Sequence, residues 1–262
     1  MVGAPSPHVH RCVTSAGQAV GVTDVHPTLV NFRDVGGLPT ADGRTVRFGR
    51  LFRSDGLHVL SDDEQLELTR RCGLETVIDL RSTMEHERFG ALVPVPGGPR
   101  LVWLPILDGS ALQGTVPEQR FDLASMYERI ATGSGSRIGE VLAILSRPGT
   151  LPGVVYCTGG KDRTGVVVAV VLGLVGVPDD EIVADYARSS GRMRSIFQRF
   201  GDAFEPGELA TVPDDFFEAP TEIMHTFLGQ LRQQFGSLEA YTATLGLRTG
   251  DVEGLRAQLL EP

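Results

Sequence analysis

Cys157 and Arg163 stand six positions apart in the segment Val154-Val-Tyr-Cys-Thr-Gly-Gly-Lys-Asp-Arg-Thr164. The thiolate is the reactive form of cysteine, and a thiol beside cations or at a helix N-terminus ionises more readily than a free one. An arginine fork holds two phosphate oxygens at once. The pair therefore describes a nucleophile placed inside a grip on a phosphoryl group. The chain has 24 lysines and arginines, yet Lys161 is its single lysine and lies within this loop. An ammonium and a guanidinium hold phosphate differently, so that one lysine marks the loop further.

If the loop wraps, the backbone amides from Thr158 to Arg163 converge as a nest for phosphate oxygens at the mouth of the following helix. Thr158, Gly159, Gly160, Lys161, Asp162 and Arg163 are the candidate phosphate-binding residues, with Gly159 and Gly160 supplying the torsions that wrapping needs. Cys157 is then set to attack phosphorus in line, and water releases the thiophosphate in a second step. Thr164 is positioned to hydrogen-bond the sulfur as it leaves. Protonating the leaving oxygen needs an acid. Asp162 is nearest in sequence; Asp79 and Asp108, each at the end of an expected strand, are its rivals.

The surrounding pattern supplies a frame for this loop. Residues 1–25 lack periodicity and read as a loose arm, with a single domain over 26–262 that carries the loop. Thr45 to Arg53 has the pattern of two short strands. Ser61-Asp-Asp-Glu64 ahead of Leu66 and Leu68 predicts an N-capped helix. Thr76-Val-Ile-Asp-Leu80, Val102 to Leu107 and Val154 to Tyr156 read as strands, while Gln119 to Ile130 and Arg137 to Leu145 have helical spacing. Thr164 opens a helix that is apolar on every side and hence central. Helices are also expected over Pro178 to Tyr186, Thr221 to Phe235, Leu238 to Leu245 and Asp251 to Leu260. The alternation predicts an α/β fold around a largely parallel sheet flanked by helices. The irregular stretch 190–222 is a candidate lid, although its Phe-rich part, 197–217, reads first as core-facing.

The net charge of -9 and pI near 5.2 argue against nucleic acid as a partner, because a polyanion requires a basic face. The longest apolar run, Gly165 to Val177, falls short of a bilayer span. No secretory or transit signal is readable, which leads to the expectation of a cytoplasmic protein, with signal-less export open. Cys12, Cys72 and Cys157 have neither disulfide nor zinc spacing, and the six histidines show no metal spacing, so no cofactor or metal is expected. Cys12 and Cys72 read as packing residues, and Arg33 with Asp34 as a brace for the turn at Gly36-Gly37. The Gly-Lys pair does not make an ATP-binding loop, since Asp162 follows where Ser or Thr is required.

Six ordered blocks resemble the atypical protein tyrosine phosphatases typified by mycobacterial protein tyrosine phosphatase B. They are Asn31-Phe-Arg-Asp-Val-Gly-Gly37, Leu51-Phe-Arg-Ser-Asp55, Asp79-Leu-Arg-Ser82, Cys157 to Gly165, Ile182-Val-Ala-Asp-Tyr-Ala-Arg-Ser189 and Phe235-Gly-Ser-Leu-Glu-Ala-Tyr241. The resemblance implies a phosphatase fold with a helical lid, no metal, Cys157 as nucleophile, Arg163 as phosphate binder and Asp162 as acid. It implies substrates among phosphotyrosine, phosphoserine or phosphothreonine proteins and phosphoinositides, with a small phosphorylated metabolite such as a nucleotide or sugar phosphate as an alternative. Lys161 suits substrates with more than one phosphate. Tyr156 departs from the family's histidine, which leaves a phosphate-binding pseudophosphatase as a competing expectation. Arsenate reduction and rhodanese-type sulfur transfer fit less well, the first for want of resolving thiols close in sequence, the second for loop length.

Overall fold

The computed structural model describes residues 26–108, 122–201 and 214–261. Strands β1 (Arg33–Asp34), β2 (Leu51–Ser54), β3 (Thr76–Asp79), β4 (Arg100–Trp103) and β5 (Gly153–Tyr156) form one sheet in the order β1-β2-β5-β3-β4. β1 is antiparallel to β2, and the other three pairings are parallel. The helices are α1 (Asp62–Cys72), α2 (Thr83–Phe89), α3 (Leu123–Gly133), α4 (Gly135–Leu145), α5 (Asp162–Leu174), α6 (Asp179–Ala187), α7 (Met193–Gln198), α8 (Asp214–Phe217), α9 (Thr221–Phe235), α10 (Leu238–Thr244) and α11 (Thr249–Leu259). The α/β architecture with a mostly parallel sheet matches the pattern of the sequence.

The parallel strands are buried on both faces, and successive residues of β5 supply different cores, as the two-residue period of a strand requires. Val155 and Cys157 face the larger cluster, built with the helices that follow β5; Val154 and Tyr156 face a smaller one with Phe52, Leu68, Cys72 and Val77. Helix α5 is buried at every position but Asp162, Arg163 and Gly173. Each fully buried Val or Leu there contributes about 1.5–3 kcal/mol, so the helix that carries the loop is anchored by its whole circumference. Among the described residues no helix is long and apolar enough to cross a membrane.

Some elements differ from expectation. Thr45 to Arg53 holds one strand, not two: Gly49 turns the chain at φ +70° and its amide donates to Asp34 Oδ2 at 2.6 Å. Asp34 Oδ1 takes the Gly36 amide at 2.8 Å, so Asp34 braces both turns, whereas Arg33 points away from them to Asp185. β4 ends at Trp103 instead of running to Leu107, as Pro105 cannot donate to a ladder. The start of the helix expected from Gln119 lies outside the described residues, and Cys12 does too. Helix α2 had no counterpart in the periodicity. Finally, the described aromatics Phe197, Phe200, Phe216 and Phe217 do not join the main core. Phe217 packs with Met193 and Ile196 in a third cluster, against which Phe197 and Phe216 lie.

One buried anion holds the back of the fold together. Asp185 of α6 takes Arg33 Nε at 2.8 Å and Arg53 Nη1 at 2.6 Å, all three side chains being almost wholly buried. Burial alone would raise the Asp185 carboxyl, but the two guanidiniums hold it down at about 2. Asp185→Asn leaves two buried cations facing one neutral amide. Stability is expected to fall by about 3–5 kcal/mol, measured by urea unfolding at neutral pH; a change under about 1 kcal/mol would contradict this account.

Candidate active site

Cys157 follows the end of β5, the middle strand of the sheet, at the edge where open parallel sheets place their sites. It forms part of the lining of a cavity of about 250 Å³ together with Thr158, Gly159, Lys161, Asp162 and Arg163 from the loop, and Glu85 from α2. Apolar walls come from Leu107, Met126 and Ile130 on one side and from Met193, Phe197 and Phe216 of the covering helices on the other.

The loop's carbonyls are drawn outward one after another. The Gly56 amide donates to Thr158 O at 3.1 Å, Asn31 Nδ2 to Gly159 O at 2.9 Å, and Arg53 Nη2 to Gly160 O at 2.8 Å. Lys161 O takes the Gly165 amide at 2.8 Å. In a planar trans peptide the N–H points opposite to its C=O, so the next amide in each case is turned away from the scaffold. Among the described residues, the amides of Gly159 through Thr164 find no acceptor within the protein. Gly160 has φ +65°, and a Cβ there would lie 2.3 Å from Ser54 O, so the loop tolerates no side chain at that point.

The donors behind the loop are themselves fixed. Asn31 Oδ1 takes Arg33 Nη1 at 2.6 Å, and Ser189 Oγ accepts from Asn31 Nδ2 at 3.2 Å and Arg33 Nη2 at 3.3 Å. Asp55 accepts the Asn31 amide at 2.8 Å and also pairs with Arg199, beyond α7, which ties the cover to the body.

In front of the loop, both terminal nitrogens of Arg163 reach Glu85 at 2.5 Å, and Thr158 Oγ1 donates to the same carboxylate at 2.5 Å. Burial disfavours both charges. The pair nevertheless wins, holding Glu85 well below the usual carboxylate range and Arg163 above its own, with Cys157 and Asp162 adding to the latter. A guanidinium has five N–H groups; two go to Glu85 and a third, on Nη1, to Leu80 O at 3.4 Å, which leaves two.

Lys161 differs from the sequence expectation. Its ammonium is buried, donates to Phe216 O and, at 2.8 Å, to Glu218 O, and lies 5.2 Å from the Phe216 ring centre. The cation fastens the covering segment. Asp162 lies on the cavity wall, with Oδ1 2.9 Å from the Tyr127 hydroxyl and 3.4 Å from the Lys161 ammonium. Thr164 Oγ1 is buried and makes no hydrogen bond among the described residues, so the expected contact to the sulfur is not formed.

The rival acids are engaged elsewhere. Asp79 receives Arg81 Nη2 at 2.8 Å, Tyr156 Oη at 2.5 Å and His86 Nε2 at 2.9 Å, in the smaller core's direction. Burial pushes its carboxyl up, but Arg81 and Tyr156 outweigh that and hold it low. Asp108 accepts from the Thr83 amide at 3.0 Å and hydroxyl at 2.8 Å, bracing the start of α2. Tyr156, in place of the family histidine, thus spends its hydroxyl on Asp79 and turns its ring under Arg81. Among the described residues no three His, Cys, Asp or Glu side chains gather as a metal site.

Sequence reasoning missed Glu85, Tyr127 and the Asn31–Arg53–Asp185 brace. A signal for Glu85 was present: Ser82-Thr-Met-Glu85 is the same capping box as Ser61 to Glu64, and both boxes form. Tyr127 stands on the buried face of α3 with Leu123, Ile130 and Ala131, and a buried phenol calls for a partner.

A family model described as the tyrosine phosphatase family matches residues 25–261. A putative tyrosine-protein phosphatase of Cupriavidus necator is 34% identical over 70% of this chain and 70% of its own length. The triple specificity protein phosphatase PtpB of Mycobacterium tuberculosis is 30% identical over 89% of this chain and 98% of its own. Among solved structures, the Siw14 catalytic core aligns with a TM-score of 0.37 at 16% identity, covering 66% of this chain and 90% of that one. By sequence over nearly its whole length, around a loop that gathers a cysteine, an arginine and six free amides, the chain belongs to the tyrosine phosphatase family.

Proposed function

We propose that this phosphatase hydrolyses phosphate monoesters through a cysteinyl-phosphate intermediate on Cys157. The observation that supports this reading is the outward tether of three consecutive loop carbonyls beside that cysteine. It leaves an inward-facing amide cup without a partner among the described residues, suited to the equatorial oxygens of a phosphoryl group. Arg163, its plane set by Glu85, offers its remaining N–H groups to the same oxygens.

The sulfur attacks phosphorus in line, the bond to the leaving oxygen breaks, and Asp162 supplies the proton. Water then attacks the phosphocysteine and gives a proton back to Asp162 as the sulfur departs. Asp79 and Asp108 take no part, since each carboxylate is already committed to structure away from the cavity.

The apolar walls favour a phosphate carried on an apolar body, and an aryl phosphate such as phosphotyrosine fits that chemistry best. The Cupriavidus necator relative, a putative tyrosine-protein phosphatase, supports the same reading. A phosphoinositide or another substrate with a second phosphate has to draw the Lys161 ammonium from the carbonyls it now holds. Phosphoserine and small phosphorylated metabolites lack the aromatic body. The pseudophosphatase reading rested on Tyr156, whose hydroxyl is spent on Asp79.

Cys157→Ser is expected to lower hydrolysis of an aryl phosphate by about 10⁴-fold or more, and rapid denaturation of the native enzyme during turnover should show phosphate on Cys157 by mass spectrometry. Turnover by the serine variant, or an unmodified Cys157 throughout, would falsify the intermediate. Glu85→Gln keeps a residue able to close the capping box but loses the charge that fixes Arg163. A fall of about tenfold in kcat/KM is the expected result, together with a lowered melting temperature because the Arg163 guanidinium loses its charged partner.

A further inference from the structure

Asp162 does not act on its own. Its Oδ1 lies 2.9 Å from the Tyr127 hydroxyl, which in turn lies 2.8 Å from the Tyr186 hydroxyl. Both phenols are buried, Tyr127 on α3 and Tyr186 on α6. Their rings meet edge to face at 6.1 Å, and Phe227 of α9 packs on Tyr127 at 5.9 Å in the same manner, so three helices fix one oxygen.

Each phenol has one proton to donate, and two orders of donation are conceivable along this row. In one, a proton on Asp162 Oδ1 points to Tyr127. That order sets the proton beside the Lys161 ammonium, which approaches the same Oδ1 at 3.4 Å and can only donate. In the other, Tyr186 donates to Tyr127 and Tyr127 donates to Oδ1, so that both donors meet a lone pair. We infer that Tyr127, oriented by Tyr186, is a positioning residue that occupies Oδ1 of Asp162 and so places the transferable proton on Oδ2. Burial raises the Tyr127 phenol well above its usual titration range, with Asp162 and Tyr186 adding to the effect. Tyr127 therefore keeps its proton and remains a donor throughout the cycle.

The inference rests on the reading of Asp162 as the acid. When the bond from phosphorus to the leaving oxygen breaks, its electron pair stays on that oxygen, which takes the proton from Oδ2. Asp162 becomes a carboxylate still bonded to Tyr127 through Oδ1. When water attacks the phosphocysteine, one water proton goes to Oδ2 and the electrons of the sulfur–phosphorus bond return to Cys157. Neither tyrosine changes its protonation state.

The test measures kcat/KM for a series of aryl phosphates whose phenols span a wide range of acidity, because a good leaving group needs no proton. Asp162→Asn is expected to steepen the dependence on leaving-group acidity. Tyr127→Phe should steepen it part of the way, with a loss of about tenfold on the least acidic phenol, and Tyr186→Phe less so. The Tyr127→Phe, Asp162→Asn double variant should be no slower than Asp162→Asn, since the first side chain acts through the second. A uniform loss across the series in Tyr127→Phe, with the native slope, means a structural role only and overturns the inference while Asp162 remains the acid. A native slope in Asp162→Asn overturns the acid assignment and the inference together.

Discussion

Three hydrogen bonds from behind turn the phosphate loop into a cup. Gly56, Asn31 and Arg53 take hold of three successive carbonyls, and peptide planarity then decides where the amides go. No side chain of the loop is needed for that orientation, which frees Lys161, Asp162 and Arg163 for other tasks. A row of unpaired amides is costly unless its geometry is imposed from elsewhere. Here it is imposed by Gly56, Asn31 and the buried Arg53, whose guanidinium Asp185 holds in place.

The electrostatics of the two sides of the loop are complementary. Behind it, Arg33 and Arg53 share one carboxylate, leaving surplus positive charge under the cup. In front, Glu85 neutralises Arg163 but fixes its plane. The potential felt by an arriving dianion therefore comes from the amides and the buried surplus as much as from the visible arginine. An acidic protein of net charge -9 can recognise an anion on these terms because the favourable field is local.

Much of the α/β frame was legible because it depends on local pattern. The apolar run after Thr164 demanded a buried helix, and the strands ending at Asp79 and Tyr156 flank the loop as the pattern implied. The chemistry of the loop was readable for the same reason, since its candidate residues are neighbours in sequence. The brace was not: Asn31, Arg53, Asp185 and Ser189 come from three distant segments, and only the register of β2 against β5 and the packing of α6 bring them together. Each had nevertheless been singled out within a family block without a role attached. The fate of Lys161 was hidden for a related reason. A cation's sequence position says what it is near along the chain, but its partners here are carbonyls of Phe216 and Glu218, more than fifty positions away. Asp79 misled because a strand end is where catalytic groups gather, while its side chain pairs with the opposite core.

The clasp between Lys161 and the covering segment is made to main-chain oxygens. Every amino acid carries such an oxygen, so the exposed side chain of Glu218 can change without breaking these two hydrogen bonds, while the Phe216 ring also meets the ammonium. The fastening thus depends on the path of the main chain at 216 and 218, and the lone lysine beneath it has no substitute elsewhere in the chain.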